Sequence, residues 1–205
     1  NSDKRQVTID DLLKLYVGYT ARMKADPALE EVARRETKLL QGGDRENVKI
    51  WKAFHKVSLA EFQKIYKILG VKFDYYLGES FYKPMLEDVV KDALAKRIAE
   101  RSEGAVIIPI EGKAPLVIQK TDDAFLYATT DIAAVKFRIR KFKPDTILYV
   151  VGNEQSFYFE QLFSAVRRLG IVGREALIHA NFGLIHGEDM KKLSTRAGRH
   201  ISLEG

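Results

Sequence analysis

The stretch HGEDMKKLSTRAGRHISLEG, residues 186–205, concentrates groups that bind phosphate. Lysine and arginine supply positive charge, serine and threonine supply hydroxyl groups, and glycine lets the backbone approach a ligand closely. The residues concerned are Lys191, Lys192, Ser194, Thr195, Arg196, Gly198 and Arg199. This composition predicts a phosphate-binding loop, although a basic run is also typical of a solvated tail.

Three polar residues upstream form a second candidate group: Tyr127, Asp131 and Gln155. Tyr127 and Asp131 are four residues apart, across a predicted turn from a strand to a helix. A carboxylate there could pair with a guanidinium, which it accepts bidentately, while Tyr127 offers a hydroxyl or a ring face. Gln155 offers a neutral amide after the next strand. The alternatives are that Asp131 caps the helix and that Gln155 is an ordinary surface residue.

Several common catalytic signatures are absent from the sequence. It has neither GxxxxGK[ST] nor GxGxxG, the two commonest nucleotide-binding fingerprints. It has no cysteine, and its four histidines lack ligand spacing, so we expect no protein-bound metal. No spacing of serine or cysteine with histidine suggests a nucleophile for acyl transfer.

Composition sets broader limits on the protein. The 205 residues are 46% hydrophobic and carry a net charge of +6, which permits a polyanionic partner. No apolar run reaches membrane-spanning length, so we expect no membrane partner. We also expect a cytoplasmic location and a monomer. The start has no signal-peptide core and no initiator methionine, which predicts a processed or excised piece.

Residues 1–70 have the periodicity of helices, and we predict four. The first begins after Thr8, the second opens at Pro27 and stops at Gly42-Gly43, and the third opens at Asp44. The fourth ends at Gly70 and would begin with a capping box of Ser58 and Glu61.

Residues 71–205 alternate strand and helix, which is typical of a doubly wound α/β sheet. The predicted strands are VKFDYYLG, GAVIIPI, APLVIQK, AFLYATT, DTILYVVG and EALIHANFGLI. The predicted helices are KPMLEDVVKDALAKRIAERS, DIAAVKFRIRKF and EQSFYFEQLFSAVRRLG. The apolar run DTILYVVG indicates a strand buried on both faces. Ligands of such sheets bind beyond the carboxyl ends of the strands, where both candidate groups fall.

Five blocks resemble the class I arginyl-tRNA synthetases, in that family's order and approximate spacing. They are GESFYKPML, SEGA, YATTDIAA, VGNEQSFYFEQLF and KKLSTRAG. The segment LYVGYTARMKADPALEEVARRE also resembles the family's connective region. The resemblance implies an α/β fold in which residues 1–70 form a helical connective region. Residues 71–205 would then form the second half of a Rossmann-type parallel sheet with a KMSKS-like loop.

The resemblance also implies an activity and an amino-acid site. The enzyme would be an arginine–tRNA ligase, which activates arginine with ATP and Mg2+ to arginyl-adenylate and transfers it to tRNA(Arg). The arginine would be held by Tyr127, Asp131 and Gln155.

The resemblance further implies an ATP site, with contacts from Gly152, Phe182, Gly183, Leu184, Lys191, Lys192 and Ser194. The segment KLSTR resembles the KMSKS loop, which stabilises charge as pyrophosphate leaves. Its catalytic residues would be Lys192, Thr195 and Arg196. Thr195 stands where the general motif has its second lysine, and Lys191, Lys192 or Arg196 are open candidates for supplying that charge.

The other signature of class I synthetases, HIGH, does not occur in the sequence. We therefore expect an internal fragment that lacks the HIGH block and the anticodon-binding domain, and that is inactive alone. The first alternative is a non-catalytic, synthetase-derived module that binds tRNA or a partner protein. The second is a class I synthetase for another amino acid, with lysine as the nearest competitor.

Overall fold

The computed structural model describes residues 7–183 of the chain. Within this range the chain forms two compact units, residues 7–74 and residues 75–183. No helix of the described residues has the length and apolar composition needed to cross a membrane.

The first unit consists of three helices: α1 (Ile9–Ala25), α2 (Ala28–Gly42) and α3 (Arg45–Ile68). The predicted start of α1 is confirmed, because Thr8 and Asp11 form a reciprocal capping box. The predicted start of α3 is confirmed as well, since the Asp44 carboxylate accepts hydrogen bonds from two backbone N–H groups of the first turn. Gly43 ends α2 in the left-handed conformation, with φ +86°.

The predicted break between a third and a fourth helix is wrong, because α3 runs through it without interruption. Ser58 lies inside the helix, and the Glu61 carboxylate binds the Lys64 ammonium group at 2.8 Å instead of closing a capping box. No glycine or proline lies between Arg45 and Ile68 to stop the helix. A serine alone did not terminate it.

The second unit contains four helices: α4 (Glu79–Tyr82), α5 (Leu86–Ala95), α6 (Tyr127–Phe142) and α7 (Ser156–Arg168). Short 3-10 turns, Lys83–Met85 and Asn153–Gln155, precede α5 and α7. Its strands are β1 (Glu100–Ser102), β2 (Ala105–Ile110), β3 (Lys113–Gln119), β4 (Thr146–Gly152) and β5 (Ala176–Phe182).

The five strands form two sheets within the described residues. β1, β2 and β3 make an antiparallel sheet in sequence order, whereas β4 and β5 pair in parallel, in register from Thr146 opposite Ala176 to Gly152 opposite Phe182. The parallel pair with α7 between its strands is the βαβ unit that the alternation predicted, so the α/β class is confirmed.

Three of the predicted element boundaries are wrong. Residues 71–78 form no strand, and the predicted strand AFLYATT is largely the start of α6. The predicted helix from Pro84 ends at Ala95, and Glu100–Ser102 forms β1. Arg97 has a φ of +56°, a left-handed conformation that ends the helix.

The buried core of residues 7–183 lies in the second unit. Its largest fully buried side chains are Ile108, Ile118, Ile132, Leu162, Val106, Val135, Val166 and Thr129. They come from β2, β3, α6 and α7, so these elements pack together. Helices α1, α2 and α3 contribute no buried residue.

The parallel pair is buried on one face only, which corrects the prediction for DTILYVVG. Tyr149 is 9% exposed, whereas its neighbours Leu148 and Val150 are 60% and 69% exposed. The opposite face of β5 likewise exposes Ile178, at 45%. The apolar run therefore predicted the strand correctly, but the prediction that both of its faces are buried is wrong.

We expect Leu162→Ala to destabilise the second unit by about 2 to 5 kcal/mol, because it removes a fully buried side chain and leaves a cavity. The matched control is Leu148→Ala, the same change at an exposed position, which should alter stability by no more than about 0.5 kcal/mol. Native-state hydrogen exchange of the α6 amides measures both. Equal costs for the two variants would contradict this assignment of the core.

Candidate functional site

Asp131 lies in the second turn of α6, which begins at Tyr127. This corrects two predictions: the two residues are not separated by a strand-to-helix turn, and Asp131 does not cap the helix, whose N-cap is Leu126. Positions four apart in a helix lie one above the other. The predicted pair is therefore brought together, on one face of α6.

The start of α6 is fixed by a buried threonine. The Thr129 hydroxyl, fully buried, donates a hydrogen bond to the Ile118 carbonyl near the end of β3. Ala128 and Ile132 pack into the core on either side. This attachment explains why AFLYATT becomes helical, since the hydroxyl of the threonine ties the first turn to the strand.

Tyr158 of α7 completes the arrangement around Asp131. Its hydroxyl donates a hydrogen bond to Oδ2 of the Asp131 carboxylate. Its ring also meets the Tyr127 ring edge-on, with centroids 4.9 Å apart. Helices α6 and α7 thus bring one carboxylate and two tyrosines together, with Tyr158 in contact with both of the others.

Burial raises the pKa of the Asp131 carboxyl above its usual value. The hydrogen bond from Tyr158 and the positive charge of Arg138 act in the opposite direction, while the carboxylate of Glu79 raises this pKa further. Among residues 7–183, no ion pair involves Asp131. A cationic ligand would therefore stabilise the ionised form of this half-buried carboxylate.

The guanidinium of Arg138, whose charge acts on Asp131, is hydrogen-bonded to another residue. Nη1 of Arg138 donates to the Tyr149 hydroxyl at 3.1 Å, and its guanidinium lies 5.5 Å from the centre of the Tyr149 ring. Burial raises the pKa of Tyr149, so its hydroxyl stays a neutral acceptor. Arg138 therefore acts on Asp131 through its charge and not as a hydrogen-bonded partner.

Sequence reasoning missed two members of this site, Glu79 and Tyr158. Both fall inside blocks that carry the family resemblance, GESFYKPML and VGNEQSFYFEQLF. Tyr158 also follows Gln155 by three residues, a spacing that puts both near the start of α7. Glu79 gave no local signal, because only the fold brings α4 near α6.

The predicted ATP contacts Gly152 and Phe182 are brought together at the carboxyl ends of β4 and β5, where they are partners in the parallel register. Gly183 follows Phe182, and both are exposed. Gln155 lies in the 3-10 turn after β4 and is exposed, and its side chain makes no hydrogen bond to the described part of the chain. These positions lie at the strand ends, beyond which ligands of such sheets bind.

The remaining predicted site residues, Leu184, Lys191, Lys192, Ser194, Thr195 and Arg196, lie outside the described residues. Within residues 7–183, no group of three or more His, Asp or Glu side chains could hold a metal ion.

Comparisons with known proteins all point to the same family. The family model described as tRNA synthetases class I (R), catalytic domain, matches residues 1–205. The arginine–tRNA ligase of Exiguobacterium sibiricum is 40% identical over 204 residues, which are 98% of this chain and 36% of that protein. The arginine–tRNA ligase of Lactococcus lactis subsp. lactis is 41% identical over 198 residues, 96% of this chain and 35% of that protein. The chain thus spans about a third of these relatives.

Solved structures show the same fold. The arginyl-tRNA synthetase of Plasmodium falciparum superposes with a TM-score of 0.69 at 25% identity, over 84% of this chain and 34% of that one. A putative arginyl-tRNA synthetase from Campylobacter jejuni superposes with a TM-score of 0.60 at 18% identity, over 70% of this chain and 32% of that one.

We expect Tyr158→Phe to raise the pKa of Asp131 further, because it removes a hydrogen bond that favours the ionised carboxylate while keeping the ring. NMR titration of the Asp131 carboxyl carbon measures the shift. Tyr127→Phe is the control, since it keeps the aromatic contact and no hydrogen bond joins Tyr127 to Asp131 in the described residues. An unchanged pKa in Tyr158→Phe would refute the assigned role of its hydroxyl.

We expect Asp131→Asn to stabilise the protein at pH 7. The folded state raises the pKa of Asp131, so it holds the proton more tightly than the unfolded chain does. The free energy of unfolding therefore falls as the pH rises from the unfolded pKa through the folded pKa. The advantage of Asp131→Asn should accordingly vanish near pH 3, below the usual range of the carboxyl.

Asp92 provides a control of opposite sign for this experiment. Its hydrogen bond from Lys136 lowers the pKa of its carboxyl, so Asp92→Asn should destabilise the protein at pH 7. Urea unfolding followed by circular dichroism from pH 3 to pH 7 measures both variants. Loss of stability at pH 7 in Asp131→Asn would contradict the electrostatic account of the site.

Proposed function

The chain belongs to the family of class I tRNA synthetases for arginine, through their catalytic domain, and from this premise we propose that it is part of an arginine–tRNA ligase. The complete enzyme activates arginine with ATP to arginyl-adenylate and transfers the arginyl group to tRNA(Arg). The observation that carries the proposal is Asp131, a half-buried carboxylate that no described cation neutralises.

In this proposal Asp131 binds the guanidinium group of arginine. Tyr158 occupies Oδ2 with one hydrogen bond, which orients the carboxylate and leaves its remaining acceptor positions for a ligand. A guanidinium presents five N–H donors in a planar fork that matches a carboxylate. Glu79 adds negative charge near Asp131, which further favours a cationic side chain.

Tyr127 and Gln155 complete the proposed amino-acid site. The Tyr127 side chain is 61% exposed and stands one helical turn from Asp131, where its ring can flank the aliphatic part of arginine. Gln155 keeps a free amide at the start of α7, suited to the amino-acid head group. With its guanidinium on Asp131 and its head group on Gln155, the bound arginine would direct its carboxylate toward the carboxyl ends of the strands.

The ATP site is proposed at the carboxyl ends of β4 and β5, with contacts from Gly152, Phe182 and Gly183. The open strand ends there leave backbone groups accessible to a nucleotide. Mg2+ would arrive on the ATP phosphates. Leu184, Lys191, Lys192, Ser194, Thr195 and Arg196 keep their proposed ATP and catalytic roles. A cytoplasmic location and a monomeric state also stay predictions from the sequence.

Calorimetry with three amino acids tests the site. We expect arginine to bind this chain, and citrulline and lysine to bind far more weakly, because citrulline lacks the charge and lysine lacks the fork. Asp131→Asn should weaken arginine binding by about 30-fold or more, since removing one partner of a buried charge pair costs at least about 2 kcal/mol.

The matched control is Asp145→Asn, which makes the same change at an exposed position before β4 and should leave arginine affinity unaltered. Equal binding of arginine and citrulline would overturn the assignment of Asp131. In the complete enzyme, arginine-dependent exchange of pyrophosphate into ATP provides the activity assay. No exchange there would instead favour the non-catalytic module.

A further inference from the structure

Helix α3 carries a row of cations along one face. Arg45, Lys49, Lys52 and Lys56 recur every three or four residues, and Lys67 continues the row eleven residues later. At about 100° of rotation per residue, these positions fall within an arc of about 60°. All five residues are exposed. We call them the α3 basic row.

The row is not neutralised by the protein itself. Some other cations of the helical unit are paired: Arg34 binds Glu30 at 2.8 Å, and Lys64 binds Glu61 at 2.8 Å. No residue of the α3 basic row takes part in an ion pair within residues 7–183. The acidic residues of α3, Glu46 and Glu61, project about 100° and 160° from Arg45 around the helix.

The length of the row identifies the class of partner. From Arg45 to Lys67 a helix rises about 33 Å, at 1.5 Å per residue. A single phosphate or carboxylate could touch only one or two of these cations. Neutralising the whole row requires an extended polyanion.

We propose that the α3 basic row binds the phosphate backbone of structured RNA. This inference rests on the proposed function, in which an RNA is the second substrate. Lysine is a compact point charge on a flexible stem, which suits contacts to phosphates rather than to bases. Contacts of this kind fix the position of a nucleic acid without reading its sequence. The row would thus orient the RNA.

An anionic membrane fits the same charges less well. A helix that lies on a membrane inserts apolar side chains that flank its cations. The exposed large apolar residues of α3 are Ile50, Phe54, Phe62 and Ile68, and they project about 140°, 180°, 260° and 140° from Arg45. Inserting them would turn the α3 basic row away from the lipid headgroups.

The test compares two triple variants with equal loss of charge. Lys49→Gln/Lys52→Gln/Lys56→Gln removes the centre of the row, whereas Lys24→Gln/Lys38→Gln/Lys72→Gln removes three exposed lysines elsewhere in the unit. The probe is unfractionated tRNA, measured by competition against a fluorescent RNA hairpin at several salt concentrations. The slope of log K against log salt counts the phosphates contacted.

We expect the row variant to reduce the magnitude of this slope by about 2 to 3, since each lost contact removes about 0.7 to 0.9. The control variant should reduce it by less than about 1. Equal reductions would overturn the proposal, because net charge alone would then explain binding. Binding to phosphatidylserine vesicles but not to RNA would overturn it in favour of a membrane.

Arginine calorimetry on the row variant separates this inference from the proposed function. Asp131 lies in the other unit, so arginine affinity should stay unchanged while RNA binding falls. If the row variant leaves the salt slope of RNA binding unchanged and still binds arginine, the proposal for the α3 basic row is rejected and the amino-acid site is not. If the unmutated chain binds arginine and citrulline equally while its RNA binding depends on the row, the amino-acid site is rejected and the α3 basic row is not.

Discussion

The hydrogen bond from the Thr129 hydroxyl to the Ile118 carbonyl is the constraint on which the candidate site depends. It is buried, and losing it would leave the Ile118 carbonyl with only the 3.5 Å hydrogen bond that the Leu126 backbone N–H donates. By tying the first turn of α6 to β3, it sets where that helix begins and which face it presents. Tyr127 and Asp131 share that face as a result, and α7 can bring Tyr158 against them.

The surroundings of Asp131 disfavour the ionised form of its carboxyl group. Burial alone would favour a protonated Asp131, and Glu79 adds to that effect, whereas Tyr158 and Arg138 only partly offset it. Direct pairing of Arg138 with Asp131 would relieve the cost but would also occupy the carboxylate. The Tyr149 hydroxyl holds the Arg138 guanidinium at 3.1 Å instead, so the positive charge acts from a distance. Binding and stability therefore make opposite demands on one side chain.

The sequence predicted those elements whose signals are local. Thr8 and Asp44 begin helices as expected, and the βαβ unit from β4 to β5 followed from its apolar runs and from the helical period between them. The start of α6 was missed, because AFLYATT is apolar and β-branched and only its attachment to β3 makes it helical. Asp131 was predicted as a site residue from its charge type and position, and its role stays a prediction. Tyr158 and Glu79 were missed, since their roles arise from contacts between helices distant in sequence.

The uneven distribution of burial between the two units has a practical consequence for proteolysis. Proteases cut where the backbone opens locally, and segments without buried side chains open at the lowest free energy. Helices α1, α2 and α3 contribute no buried residue, whereas α6 and α7 lie in the core. Limited digestion should therefore remove the helical unit first and leave a resistant fragment that carries Asp131 and Tyr158. A ligand on the α3 basic row would slow that first cleavage.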